Sequence, residues 1–134
     1  MTTLAFIPKG EILKLYKEIS KRNIDKNLNS KIQTNQEIIG TWINEEDTSY
    51  KLVFLDTGVL NEYVNNVLMG TLTYTISHSC GLTSDPNYEF LEKIESDGAT
   101  YCYEINGINV DNSGILSIRS MENGKLYIFN KVTN

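Results

Sequence analysis

The chain has 134 residues, 40% hydrophobic and 22% charged, which is the size and composition of one globular domain. No apolar run approaches the length that crosses a bilayer. The formal net charge of −5 gives no overall attraction to nucleic acid, so we expect no nucleic-acid partner.

The charge divides the chain into two parts. Residues 1–35 carry seven basic and three acidic side chains, and residues 36–134 carry five basic and fourteen acidic ones. We therefore predict a basic N-terminal segment over 1–35 and a separate acidic domain over 36–134. Two interpretations of the segment stay open: it is solvated or lies on its own acidic domain, or it touches an anionic membrane surface. The first is favoured because a short basic helix alone binds membranes weakly.

The first ten residues, MTTLAFIPKG, do not resemble a signal peptide. They lack a basic start, and Pro8 interrupts their apolar run. We expect either a cytoplasmic protein that starts at Met1, or an envelope or secreted protein whose signal has been removed. On the second expectation, a removed signal or a lipid anchor supplies any membrane association.

Residues 11–20 have the spacing of an amphipathic helix. Ile12, Leu15, Tyr16 and Ile19 recur at intervals that place them on one helical face. Such a face must be buried, so we predict an N-terminal α-helix that covers a core.

From residue 38 onward the hydrophobic period changes to that of β-strands. Frequent Asn-Gly, Asp-Gly and related turns separate short β-rich segments. Regular short strands with tight turns predict an all-β fold, an eight-stranded up-and-down antiparallel barrel that leaves no free edge. The predicted strands are 38–44, 50–56, 59–65, 69–77, 88–95, 99–106, 114–120 and 125–132.

Alternating side chains indicate which face of the sheet points inward. Leu72, Tyr74 and Ile76 alternate with threonines, and Tyr103 and Ile105 alternate with polar residues and a cysteine. One apolar and aromatic face opposite a polar face is the pattern of a barrel wall.

The Gly40-Thr41-Trp42 triplet, at the start of the first strand, resembles the G-x-W signature of the lipocalin family. The resemblance implies that Trp42, the only tryptophan, plugs the closed end of the barrel. It also implies that Gly40 allows a close approach of the chain. Lys131 is placed to pack over the indole, where lipocalins usually have arginine. Lysine can stack on an indole, although less well than a planar guanidinium.

The chain more closely resembles short bacterial lipocalin-like domains. Six motifs occur in their order: GTW, F-x-x-x-G, G-T-x-T-Y, DG-x-x-Y-x-Y, LS-x-R and F-x-K, which together span about 38–132. The resemblance implies a lipocalin-like barrel in a protein of the cell envelope. It implies no particular activity, because one fold serves many functions.

Cys80 and Cys102 predict a disulfide. Cys80 lies in the loop 77–86, and Cys102 lies on a strand with the parity opposite to Tyr101 and Tyr103, so it should face outward. The bond would hold the loop to the barrel wall. The alternative is two free thiols in a reducing cytosol. We favour the bond partly because the proteins that the chain resembles sit outside the cytoplasm.

The sequence contains little that indicates catalysis. His78, the only histidine, has no partnered nucleophile near it, and neither a second histidine nor a C-x-x-C motif supports a metal site. We expect no enzyme, no catalytic residue, no cofactor and no metal. Glu62 shares a face with Leu60 and Val64; we expect it to be solvated, and if it points inward it would anchor a ligand.

Two functions from different classes remain. The first is a binding protein for a small hydrophobic ligand, because eight strands leave room for one such molecule. The second is a protein-interaction or inhibitor/immunity-type domain with a packed barrel core. We place the first ahead and expect a monomer. The predicted ligand-binding residues face the interior and are Phe54, Leu72, Tyr74, Phe90, Tyr103 and Ile105.

Overall fold

A computed structural model of the protein describes residues 34–133, which form a closed barrel of eight antiparallel strands. The predicted all-β, eight-stranded fold is therefore confirmed. The helix predicted over 11–20 lies outside the described residues. The strands are β1 Gly40–Asn44, β2 Tyr50–Phe54, β3 Val59–Val64, β4 Val67–Ser77, β5 Ser79–Cys80, β6 Thr83–Ser84, β7 Phe90–Ile94, β8 Thr100–Ile108, β9 Ile115–Ser120 and β10 Leu126–Lys131.

The barrel is a simple meander. Each barrel strand pairs with its neighbours along the chain, and β1 closes the sheet by pairing with both β2 and β10. The short strands β5 and β6 form a separate hairpin between β4 and β7. Closure pairs the edges that an open sheet would expose.

The predicted boundaries of the barrel strands agree with the structure to within about two residues. Two differences have local causes. Ile38 and Ile39 precede β1, because residues 34–37 are helical and a turn follows them. The hairpin of β5 and β6 lies inside the predicted loop 77–86. Its two-residue strands are too short to show an alternating pattern.

Interior side chains form one hydrophobic core, which includes two of the predicted aromatic residues. The ring of Phe54 meets that of Tyr74 edge-on, with centroids 5.0 Å apart. The Tyr74 hydroxyl donates a 2.7 Å hydrogen bond to the Leu55 carbonyl. The buried members of the core are Ile38, Trp42, Leu52, Phe54, Leu60, Leu72, Tyr74, Ile76, Leu91, Leu116, Ile118 and Phe129.

The Trp42 side chain lies in the hydrophobic core, next to the segment that leads into β1. It is fully buried, and its indole N–H donates a 2.8 Å hydrogen bond to the Ile38 carbonyl. The Lys131 ammonium lies 5.5 Å from the centroid of the indole ring. Gly40 has a φ of +135°, and a Cβ there would come within 3.2 Å of the Lys131 Cε. A glycine two residues before the tryptophan thus allows both the backbone conformation and the position of Lys131.

The Cys80–Cys102 disulfide is confirmed. Cys80 lies on β5 and Cys102 on the outer face of β8, so the bond ties the inserted hairpin to the barrel wall. A stable disulfide is typical of an oxidising compartment, such as the cell envelope or the extracellular space.

Reduction of this disulfide should lower the free energy of unfolding. The bond closes a loop across 22 positions of the sequence, for which chain entropy predicts a contribution of about 3 kcal/mol. Urea unfolding with and without reductant measures the difference. In the control, a Cys80→Ser/Cys102→Ser variant, reductant should have no further effect. Equal stability of the oxidised and fully reduced native protein would contradict the prediction.

Candidate functional site

A cavity of about 240 Å³ lies within the barrel, near the end at which β2 and β10 begin. The turns β1–β2, β3–β4, β7–β8 and β9–β10 surround this end, because successive strands of a meander reverse direction. Aliphatic and aromatic side chains make up most of the wall, and one lysine adds a charge. The lining residues are Tyr50, Leu52, Leu91, Lys93, Tyr103, Ile118, Tyr127 and Phe129.

The volume limits what the cavity can hold. An apolar cavity of about 150 Å³ accepts benzene, so 240 Å³ suits a molecule of about ten non-hydrogen atoms. Drug-sized ligands usually occupy about 300–1,000 Å³. The cavity is therefore suited to a small molecule rather than to a long lipid.

A buried ion pair lies beside the cavity. The Lys93 ammonium is 2.8 Å from a carboxylate oxygen of Glu62, and the two side chains are 10% and 21% exposed. Glu62 pairs with Leu52, whose side chain is in the core, so Glu62 also faces the interior. The expectation that Glu62 is solvated was wrong, because the sequence did not show that Lys93 of β7 would meet it.

The surroundings of the ion pair hold Lys93 and Tyr50 in their protonated forms. Burial is the largest influence on the pKa of Lys93 and lowers it, but interactions with Tyr50 and Glu62 outweigh it and raise that pKa above its ordinary value. Burial also raises the pKa of the Tyr50 phenol. The positive charge of Lys93 lowers this pKa and the negative charge of Glu62 raises it, and the net result is an increase. At neutral pH the site therefore contains an ammonium and a neutral phenol.

Three tyrosines surround the ammonium side of the cavity. Lys93 Nζ lies 4.9 Å from the centroid of the Tyr103 ring, a cation–π distance. The Tyr103 ring meets that of Tyr127 edge-on, and the Tyr50 ring is tilted against Phe129. Aromatic rings of this kind give the cavity both apolar surface and hydroxyl groups.

The structure separates the predicted ligand-binding residues into several environments. Tyr103 lines the cavity. Phe54, Leu72 and Tyr74 belong to the packed core and are not among the residues that line the cavity. Ile105 is half-buried and packs against the same core.

Phe90 requires a correction. It pairs with Ser77 and Glu104 on the face of β7 opposite to Leu91, and Leu91 is the residue that enters the core and lines the cavity. Phe90 is nevertheless buried. Phe90 was predicted to face inward because it is aromatic. Leu91 shares the inner face of β7 with Lys93, and the charge of Lys93 makes that face look polar in the sequence.

Sequence reasoning also missed Tyr50, Leu52, Ile118, Tyr127 and Phe129 as lining residues. The alternation of β2 and β9 identifies Tyr50, Leu52 and Ile118 as inward-facing, and that signal was available. The first four residues of β10 are all apolar, so the sequence does not show which of them face inward. Which inward residues border an open space depends on how the strands stagger, and this is a tertiary property.

The cavity mouth is strongly acidic. The four turns at this end carry six acidic side chains and one lysine, Lys125. A depression of about 300 Å³ against the β1–β2 turn shares Tyr50 and Tyr127 with the cavity. The acidic residues of the turns are Glu45, Glu46, Asp47, Glu95, Asp97 and Glu122.

Two other sequence features have structural partners. His78 Nδ1 lies 2.8 Å from the Tyr88 carbonyl oxygen, which fits a hydrogen bond that the histidine donates. Among residues 34–133, one group has enough clustered donors to suggest a metal: Cys80, Glu92 and Cys102. Its two sulfurs are joined in the disulfide and are not thiolate ligands.

Within the part of the chain that the structure describes, no helix is long and apolar enough to cross a membrane. Comparisons of the chain with protein-family models, with curated proteins and with solved structures found no match.

Proposed function

We propose that this is a non-enzymatic, lipocalin-like binding protein that holds a small hydrophobic ligand in the open end of its barrel. The observation that carries the proposal is the 240 Å³ cavity. Its walls expose apolar surface that a ligand of matching size would remove from water, at about 25 cal/mol per Å².

The surroundings of Trp42 support the lipocalin-like part of the proposal. The resemblance implies a tryptophan plug with a basic residue over its ring, and Trp42 and Lys131 have that arrangement. The disulfide supports a location in the envelope or outside the cell.

The direct test is an NMR titration of the isotope-labelled protein with p-xylene, an apolar molecule that the cavity volume accommodates. We expect saturable shifts of the backbone amides of Leu52, Leu91 and Ile118, which border the cavity. Tyr103→Trp should weaken binding, and so reduce these shifts, by narrowing the cavity. Tyr63→Trp is the matched control, because Tyr63 lies beside Lys51 on the outer face of the barrel. No saturable shift at the cavity residues would contradict the proposal.

A protein-interaction domain is the second candidate, and one surface feature favours it. Val67, Leu68 and Met69, at the start of β4, are 60%, 52% and 66% exposed. Three consecutive exposed apolar residues are unusual on a surface that contacts only water. The proposed binding partner would be another protein that covers this segment. A Leu68→Ser/Met69→Ser variant that retains p-xylene binding but loses capture of that partner would support this candidate.

A further inference from the structure

We infer that the ligand is an uncharged molecule with an apolar body and one oxygen acceptor, such as a ketone or amide carbonyl, which accepts a hydrogen bond from Lys93. This inference rests on the proposed function and specifies the chemistry of the same cavity.

The hydrogen-bonding capacity of Lys93 is the first argument. An ammonium has three N–H donors. In the described part of the chain, Lys93 donates one hydrogen bond, to Glu62, and it also interacts with the Tyr50 phenol and with the face of the Tyr103 ring. Its side chain is nine-tenths buried and borders the cavity. A ligand oxygen in the cavity could therefore accept a hydrogen bond from Lys93 in addition to the one that Glu62 accepts.

The charge balance excludes an anion as the best ligand. Glu62 already neutralises Lys93 at 2.8 Å, so a bound carboxylate would add an unbalanced negative charge in a partly desolvated site. The six acidic side chains around the mouth would also disfavour its approach, most strongly at low salt.

A cationic ligand is disfavoured at the end of the cavity where Lys93 lies. An organic ammonium carries donors and no acceptor, so it would leave the N–H groups of Lys93 unmatched. It would also bring a second positive charge close to that of Lys93. The acidic mouth attracts cations, but exposed carboxylates act there through water and are screened by salt.

The apolar residues that line the cavity select the rest of the molecule. Leu52, Leu91, Ile118 and Phe129 are buried core residues with no polar side-chain atoms. Apolar groups fit against such a surface without the cost of burying unpaired polar atoms. With one oxygen directed at Lys93, the remaining atoms of a ligand of this size should be mainly hydrocarbon.

The test compares probes of equal carbon number on the whole chain at neutral pH: methyl hexyl ketone, octanoate, octylammonium and p-xylene. NMR titration gives each dissociation constant. We expect the ketone to bind about tenfold or more tightly than either charged probe, in line with a hydrogen bond from a charged donor. In a Lys93→Met/Glu62→Met variant, in which the whole ion pair is apolar, the affinity for the ketone relative to that for p-xylene should fall about tenfold.

The outcomes separate the two proposals. Binding of p-xylene together with equal or tighter binding of octanoate or octylammonium than of the ketone would overturn this inference and leave the proposed function intact. Unchanged ketone binding relative to p-xylene binding in the double variant would do the same. If no probe binds, both proposals fail. If the double variant does not fold, the ranking of the three octyl-length probes on the native protein decides.

Discussion

Replacement of Trp42 with alanine should reduce the free energy of unfolding by about 3–5 kcal/mol, the cost of removing a large aromatic side chain from a core. The residue is fully buried in the hydrophobic core. The substitution would leave a cavity, free the Ile38 carbonyl from its indole partner and remove the ring beneath Lys131. Because native domains are stable by only about 5–15 kcal/mol, this loss would approach the whole stability of a weak domain.

Urea unfolding, followed by circular dichroism, measures this effect. Trp42→Phe is the informative companion variant, since it keeps an aromatic ring and loses the indole N–H; it should cost less than the alanine change. The single tryptophan also gives an independent check, because a buried indole emits at shorter wavelength than one in water. Solvent-exposed emission from the native protein would contradict both the burial of Trp42 and its role as the plug.

The second large effect concerns Lys93. Lys93→Met should reduce the free energy of unfolding by about 3–5 kcal/mol, because it leaves the Glu62 carboxylate with no opposite charge in a largely buried site. Lys93→Met/Glu62→Met should be much less damaging, since replacement of a whole buried ion pair by apolar residues is often neutral or stabilising. The two variants together distinguish the cost of an unpaired charge from the net value of the pair.

Urea unfolding of both variants at neutral pH provides the measurement. A further control lies on the outer face, where Lys51 contacts the Tyr63 ring. Lys51→Met should have an effect within about 1 kcal/mol, as is typical of exposed charges. If Lys93→Met proves as mild as Lys51→Met, the ion pair does not act as a buried one.

Much of the fold could be predicted because it depends on local patterns. Alternating apolar and polar residues specify which side chains share a face, and Asn-Gly and Asp-Gly sequences specify where the chain reverses. The same parity favoured the cysteine pairing, since Cys102 lies opposite in phase to Tyr103, but it left two free thiols as an alternative. The position of Trp42 was implied by the G-x-W resemblance, and Gly40 shows why that spacing works: its backbone has positive φ and lies against Lys131.

The candidate site was predicted only in part. Tyr103 lines the cavity as expected, but Leu91 replaces Phe90, and the Glu62–Lys93 pair was not foreseen. The members of that pair lie 31 positions apart, on strands that are not adjacent in the barrel. Taken alone, Glu62 and Lys93 each have the sequence pattern of a surface charge. The pattern of one strand carries no information about which residue faces it across the interior.

The sequence by itself therefore determined the class of fold, the faces of most strands and the turns, since each depends on neighbours within a few positions or on strand parity. It favoured the disulfide, which the structure then confirmed. Only the tertiary structure decided that the core is packed around Phe54, Leu72 and Tyr74 yet open near Tyr103. It also brought Lys93 and Glu62 together beside that opening. Closure of a barrel fixes these relationships through the stagger of all eight strands at once, so no single strand encodes them.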